Sequence, residues 1–120
     1  MSGMIAMPCR PSGIKEAKCE LLIDKVRFIK GLPRQIEVTI RNDGDANCNI
    51  KNCILIKPTS SPNWTEVQVA WTMKVLPPGG VSKTIFSYEW TSGTSYFLKV
   101  LTEEELEALT LEEVSEGGHN

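Results

Sequence analysis

The sequence predicts a mostly β protein, an antiparallel β-sandwich of six or seven strands followed by a short acidic C-terminal helix or tail. Short segments of alternating apolar and polar residues recur along the chain, with turn residues between them. Strand–helix alternation of the kind that builds a parallel sheet is absent from the pattern. The chain has 120 residues, of which 41% are hydrophobic and 23% charged. This composition is typical of one globular domain with one core, and not of a disordered chain.

The first strand is predicted in residues 19–30, which are rich in β-branched and apolar side chains. Leu22, Val26 and Phe28 would share one face of a long, bulged strand. A helix is the alternative, because Leu22, Val26 and Ile29 also fit a period of 3.6 residues.

The second and third strands are predicted in residues 34–42 and 49–57. The polar run "NDGD" (42–45) must end the second strand, because its residues tolerate left-handed backbone conformations. Pro58 closes the third strand. The inward-facing residues would be Ile36, Val38 and Ile40 in the second strand, and Ile50, Ile54 and Ile56 in the third.

Three further strands are predicted in residues 65–75, 81–90 and 94–100. Residues 65–75 show the strongest alternation in the chain, and no helix could pass through the turn "LPPGG" (76–80) that follows. The residues predicted to share a face are Thr65, Val67, Val69, Trp71, Met73 and Val75; Thr84, Phe86, Tyr88 and Trp90; and Tyr96, Leu98 and Val100.

The C-terminal segment has two interpretations. Thr102 followed by Glu105 is a capping-box pattern, and acids crowd the first turn, so a helix over 103–115 is preferred. The alternative is a seventh strand in "LEALTLEEV" (106–114), which a sandwich of this kind needs. The predicted organisation is an irregular lead over 1–16, a β-sandwich over 17–101 and an acidic helix or tail over 102–120.

The N-terminal lead has no basic n-region and no apolar h-region, so it does not resemble a signal peptide. No apolar run approaches the roughly 18 residues that span a bilayer, so no transmembrane segment is expected. The chain is therefore expected to be intracellular or a trimmed piece of a longer protein, and the trimmed piece is preferred.

Charge is distributed unevenly along the chain. No Lys or Arg follows Lys99, whereas seven glutamates do, and residues 1–100 carry thirteen bases and eight acids, a net charge of +5. The bases are scattered singly and no cluster is interleaved with aromatic residues. This pattern argues against nucleic-acid binding.

Catalytic motifs are not found. The single histidine, His119, is next to the last residue, and the chain has no glycine-rich phosphate loop, G-x-S-x-G or H-E-x-x-H sequence. The clustered glutamates are typical of a solvated face. The sequence therefore predicts a protein that is not an enzyme, with no cofactor, no metal and no catalytic residue.

Three stretches resemble known families: "IEVTIRNDGDA" (36–46), "LPPGGVSKTIFSYEW" (76–90) and "GTSYFLKV" (93–100). They resemble the immunoglobulin-like CARDB modules of prokaryotic surface proteins and the β-sandwich domains of archaeal pilin-like and filament-associated proteins. The resemblance implies an immunoglobulin-like sandwich at the cell surface, with protein partners of the envelope or filament and possible self-assembly. The four cysteines and the acidic tail depart from the family pattern.

The aromatic residues have structural interpretations that do not depend on the resemblance. Tyr96, three residues after Gly93, is placed like a tyrosine corner, whose hydroxyl ties a connection to the backbone. Trp64 lies in the loop "TSSPNW" and is the candidate for a contact surface, with carbohydrate stacking as an alternative. The residues predicted to fill the core are Trp71, Phe86 and Trp90.

The four cysteines favour disulfides over metal binding. Four residues separate Cys48 from Cys53, which is at the permissive edge of zinc-site spacing, but nine separate Cys9 from Cys19, so no second short pair completes a zinc site. No C-x-x-C redox motif is present. Buried free thiols are the alternative. Because the lead has few apolar residues to hold it, we expect one of Cys48 and Cys53 to join Cys9 and the other to join Cys19. A direct Cys48–Cys53 bridge, which would clamp the turn locally, is the alternative pairing.

The sequence thus favours a non-catalytic, extracytoplasmic structural or interaction module of a cell-surface, adhesin or filament protein, stabilised by disulfides. The candidate N-glycosylation sequon at Asn63 points to the same oxidising exterior. A hyperthermophile's cytosol would also permit disulfides. The alternative function is a small intracellular metal- or thiol-dependent binding protein that uses the four cysteines.

Overall fold

The computed structural model describes residues 17–114, which form two antiparallel sheets packed around one core. One sheet has the order β1-β2-β6; the other has the order β4-β3-β7-β8, with β5 also pairing with β3. These orders match the A-B-E and C′-C-F-G sheets of an immunoglobulin-like sandwich, which confirms the predicted fold class. The strands are β1 (Leu21–Ile29), β2 (Gln35–Asn42), β3 (Cys48–Pro58), β4 (Thr65–Gln68), β5 (Val75–Leu76), β6 (Val81–Ser87), β7 (Ser95–Thr102) and β8 (Glu107–Glu113).

β1 is a bulged strand, as predicted, but the bulge changes which residues face the core. The register with β2 shifts between Ile23 and Lys25. The extra residue puts Leu21 on the same buried side as Val26 and Phe28, and Leu22 is exposed. The prediction that Leu22 shares a face with Val26 was therefore wrong, because strict period-two counting fails across a bulge.

β2, β3, β6 and β7 bury the residues that alternation predicted. The "NDGD" turn ends β2 at Asn42, as expected. Trp71, Phe86 and Trp90 are all buried, which confirms their structural role. The predicted core positions that are buried in these four strands are Ile36, Val38, Ile40, Ile50, Ile54, Ile56, Thr84, Phe86, Tyr96, Leu98 and Val100.

The single strand predicted over 65–75 is interrupted. It contributes β4 and β5, and the residues between them cross toward the other sheet, where the Ser82 hydroxyl donates to the Met73 carbonyl (2.8 Å). Met73 and Val75 are exposed, as is Thr65. The continuous strand was thus a wrong prediction, because side-chain hydrogen bonds from β6 divert the backbone out of the sheet.

The preferred C-terminal helix is also wrong. No helix occurs in residues 17–114, and residues 107–113 form β8, the alternative seventh strand of the immunoglobulin pattern. The capping signal at Thr102 forms part of a hairpin turn instead: its hydroxyl accepts the Leu106 N–H (3.1 Å), and Glu105 adopts a positive φ of 65°. Pairing with β7 hydrogen-bonds the backbone of β8 and buries Ala108.

Tyr96 forms the predicted tyrosine corner. Its hydroxyl accepts the backbone N–H of Thr91 (2.8 Å). Its ring packs against that of Phe28 across the sandwich, with the ring centroids 6.1 Å apart. Trp90 closes the same end of the core, donating its indole N–H to the Gln35 carbonyl (2.9 Å). These contacts join the two sheets at the end where β7 begins.

The predicted division into 1–16, 17–101 and 102–120 stays a prediction. The irregular lead, with Cys9, lies outside the described residues, as does the end of the chain from residue 115. In residues 17–114 no helix has the length and apolar character needed to cross a membrane.

Candidate functional site

A disulfide joins Cys19, just before β1, to Cys48, the first residue of β3. The bridge links the two sheets across 29 residues of sequence, and both cysteines are buried. It matches the expectation that Cys19 pairs over a long range with one of the loop cysteines. The companion pairing of Cys9 with Cys53 stays a prediction, since Cys9 lies outside the described residues.

Cys53 has a different environment from Cys48. It is half-buried on the outer face of the second sheet, with no disulfide to another described residue. Burial, together with the negative charge of Glu66, raises the pKa of the Cys53 thiol. A raised pKa keeps the thiol protonated at neutral pH, whereas a nucleophile or metal ligand needs the thiolate.

The alternative function required four cysteines acting together. Cys19 and Cys48 are bonded to each other, so they cannot serve as metal ligands or free thiols while the bridge is intact. Among the described residues, no three His, Cys, Asp or Glu side chains are grouped to hold a metal ion.

The "NDGD" turn lies against the segment that carries Cys19. The buried Asn42 side chain donates to the Ala46 and Leu76 carbonyls (2.7 and 2.9 Å) and accepts the Gly44 N–H (2.9 Å). A Cβ on Gly44 would overlap the Lys18 carbonyl oxygen, so only glycine fits. The Asn-x-Gly motif therefore holds the start of β1 in place and has a structural role.

Trp64 lies in a cluster on the solvent face of the second sheet. Its ring is half-buried and tilted against Phe97, with centroids 6.4 Å apart. The Lys57 and Lys99 ammonium groups lie 5.4 and 4.7 Å from the centroid of the Trp64 ring, within the range of cation–π attraction. Trp64 is therefore part of a mixed aromatic and basic cluster, and carbohydrate stacking on it stays an alternative to a protein contact.

We call this surface the outer patch; it continues to the edge of the sheet through two exposed leucines. Leu109 and Leu111 of β8 lie opposite Lys99 and Phe97 of β7, and their exposed fractions are 57% and 56%. Lys99 also pairs with Glu107 (3.6 Å). The outer patch consists of Lys57, Trp64, Phe97, Lys99, Leu109 and Leu111.

Sequence reasoning identified Trp64 but missed the other members of the outer patch. Leu109 and Leu111 are two residues apart within "LEALTLEEV", a spacing that puts both on one face of a strand. The capping pattern at Thr102 led to the helix being preferred over that strand. Asn63, beside Trp64, is exposed, as a glycosylated asparagine must be; its modification stays a prediction.

A groove separates the free edges of the two sheets. It runs between the first half of β1 and the start of β8, with a volume of about 480 Å³. No backbone pairing joins β1 to β8, so the sandwich is open along this seam. The lining residues are Leu21, Leu22, Ile23, Asp24, Arg41, Glu107, Ala108 and Leu109.

Comparison with known proteins relates this fold to archaeal cell-surface proteins. The chain is similar to the archaellum periplasmic stator protein FlaG from Sulfolobus acidocaldarius, with a TM-score of 0.65 and 16% identity over 79% of this chain and 100% of that one. It is also similar to a chain of the archaellum periplasmic stator complex of FlaF and FlaG from the same organism, at a TM-score of 0.65 and 16% identity over 91% of this chain and 100% of that one. No protein-family model and no curated protein matches the sequence. At this level of identity the likeness establishes the shared sandwich fold.

Proposed function

We propose that this protein is a non-catalytic structural module of an archaeal cell-surface assembly, located outside the cytoplasmic membrane, where it binds protein partners of the envelope or of a filament. The observation that carries the proposal is the buried Cys19–Cys48 bridge within a stator-like sandwich. Structural disulfides persist in oxidising surroundings. The similar stator protein is periplasmic, which supports a location outside the cytoplasmic membrane. The CARDB-type resemblance of the sequence supports the same setting through a second family.

The outer patch supports a role in protein binding. Aromatic and aliphatic side chains flanked by charges form a continuous surface from Trp64 to Leu111, and contiguous exposed apolar surface marks interaction sites. The similar stator proteins FlaF and FlaG form a complex with each other. A module of this kind would transmit load through its sandwich and its partner contacts, without chemistry.

In situ photo-cross-linking tests the proposal. A photoreactive residue replaces Leu111 in the outer patch or, as a matched control, Ile85, which is 49% exposed on the outer face of the other sheet. Intact producing cells are irradiated, and cross-linked proteins are identified by mass spectrometry. We expect Leu111 to capture an envelope or filament protein and Ile85 to capture it far less. Capture of cytoplasmic proteins, or cross-linking only after lysis, would contradict the proposal.

A further inference from the structure

We propose that β8 is a strand-addition site, which takes an extended partner segment carrying apolar residues between basic ones. This inference deepens the proposed function by naming the chemistry of the partner segment. The site is the free edge of β8, with the leucines of the outer patch beside it and the β1–β8 groove behind it.

The backbone of β8 has hydrogen-bonding groups on one side that pair with no other strand of the described residues. The Thr102 N–H donates to the Leu106 carbonyl (3.1 Å) and the Val114 N–H to the Thr94 carbonyl (3.1 Å), so these pairs are hydrogen-bonded pairs of the β7–β8 ladder. Such pairs alternate along an antiparallel ladder. The N–H and C=O groups of the odd-numbered residues of β8 therefore point away from β7, toward the free edge. These residues are Glu107, Leu109, Leu111 and Glu113.

The other sheet edges in the described part of the chain are protected. β1 is bulged beside Asp24 and Lys25, and β4 has only four residues. The edge of β6 is covered by Thr72, whose N–H donates to the Lys83 carbonyl (3.0 Å) and whose hydroxyl accepts the Lys83 N–H (3.0 Å). Proteins commonly block exposed edges in these ways to prevent unwanted pairing.

Within residues 17–114, β8 has none of these protections. Its seven residues pair with β7 without a register shift and include no proline, lysine or arginine. Leu109 and Leu111 are both more than half exposed beside the unpaired backbone. A regular, unbulged edge with exposed leucines beside outward-pointing backbone groups is suited to pairing with another strand whose charges complement its glutamates.

Charge favours a basic segment of a different protein over a second copy, with Glu107 shared between such a segment and Lys99 (3.6 Å). Glu107 and Glu113 flank the two leucines on the same face, and no base follows Lys99 in the sequence. Antiparallel pairing of two copies about Thr110 would place Glu107 of one copy opposite Glu113 of the other, and like charges directly opposite are destabilising. A segment with lysine or arginine at these positions would instead form opposite-charge pairs.

The two faces of an added strand would meet different surroundings. Side chains on the outer face would lie beside Leu109 and Leu111, whereas those on the inner face would point toward the groove, near Leu21 and Ala108. The segment would therefore carry apolar or β-branched residues between its two basic ends. A partner segment of seven residues would pair with the whole length of β8.

A titration of the full chain with synthetic peptides, followed by backbone amide NMR, tests the site. The probe has the order lysine–threonine–valine–threonine–valine–threonine–lysine, with blocked ends. One control replaces both lysines by glutamate, and another N-methylates both valines, which removes the donors that would face β8. We expect saturable shifts in residues 107–113 with the probe, weaker binding at high salt, and no binding of either control peptide.

Matched protein variants complete the test. Leu111→Lys should weaken binding of the probe by about tenfold or more, since it adds a like charge and removes an apolar contact. Ile85→Lys, the same change at an exposed site on the other sheet, should leave binding unchanged. Leu109→Lys serves in place of Leu111→Lys if that variant does not give a folded amide spectrum.

Several outcomes would overturn the inference. They are the absence of shifts, shifts outside β8, equal binding of the glutamate or N-methylated peptide, and dimerisation of the chain through β8, which would make a second copy the occupant. The titration uses purified protein and the cross-linking uses intact cells, so the two results are independent. Failure of the titration would contradict the strand-addition site alone, and failure of the cross-linking would contradict the cell-surface function alone.

Discussion

Removal of the Cys19–Cys48 bridge should destabilise the protein by an amount set by the loop that it closes. The bridged residues are 29 apart. A loop of this length restricts the unfolded chain by an entropy worth about 3.6 kcal/mol at 25 °C. This loss is a large share of the roughly 5–15 kcal/mol that stabilises a typical domain.

Urea unfolding of three variants measures the effect: Cys19→Ala, Cys48→Ala and the double variant. Each one breaks the same bridge, so all three should lose about the same free energy of unfolding, and their losses should not add. The m-value should rise, because an unfolded chain without the cross-link exposes more surface. A loss below about 1 kcal/mol, or single losses that sum to the double, would refute the entropic account.

Three further predictions follow from individual contacts. Trp71→Ala should cost roughly 3–5 kcal/mol in urea unfolding, since the side chain is only 8% exposed; an unchanged unfolding midpoint would contradict this. Tyr96→Phe should cost about 0.5–1.5 kcal/mol, the usual net value of one hydrogen bond, because Thr91 is exposed and water can reach its N–H; a neutral effect on the midpoint would contradict this. The hydrogen bond from the Asn49 side chain lowers the pKa of Glu104, so the stability it contributes is present above the ordinary glutamate pKa and is lost as pH falls through the folded value. NMR titration should find the pKa of Glu104 below the ordinary glutamate value, and Asn49→Ala should raise it toward that value.

Alternation predicted the strands that bury one face along their whole length, including the edge strand β6. β2 has β1 and β6 as neighbours, and Ile36, Val38 and Ile40 are fully buried, so a period of two follows directly from burial on one face. Leu22 shows the limit of the method. A bulge shifts the register within one strand, and nothing in the local pattern says where the extra residue lies.

The C-terminal segment shows how tertiary pairing overrides local preference. An isolated helix of about a dozen residues is marginal in water, so the capping signal at Thr102 could not outweigh a ladder with β7 and the burial of Ala108 and Val114. The candidate site was missed for the same reason. Leu109 and Leu111 become neighbours of Phe97 only when residues 107–113 form a strand.

The cysteine prediction rested on the need to tether the lead, and the Cys19–Cys48 bridge agrees with one of the two pairings it expected. Cys48 faces the core at the start of β3, whereas Cys53 faces outward after the irregularity in that strand, so the two side chains point to opposite faces of the sheet. The inward-facing parity of Ile50, Ile54 and Ile56 in the third strand already places Cys53 on the outer face. The inward position of Cys48, beside the start of β1, selects Cys19 as its partner.

Labelling of intact cells tests the central claim, an extracytoplasmic structural role, most directly. Cells that produce the protein are treated with a membrane-impermeant lysine reagent, and peptides carrying exposed lysines such as Lys25, Lys30 and Lys83 are quantified by mass spectrometry before and after lysis. The account predicts that these lysines are labelled in intact cells to nearly the same extent as in lysed cells. Labelling that appears only after lysis, while a known surface protein in the same sample is fully labelled, would place the protein inside the cell and contradict the account.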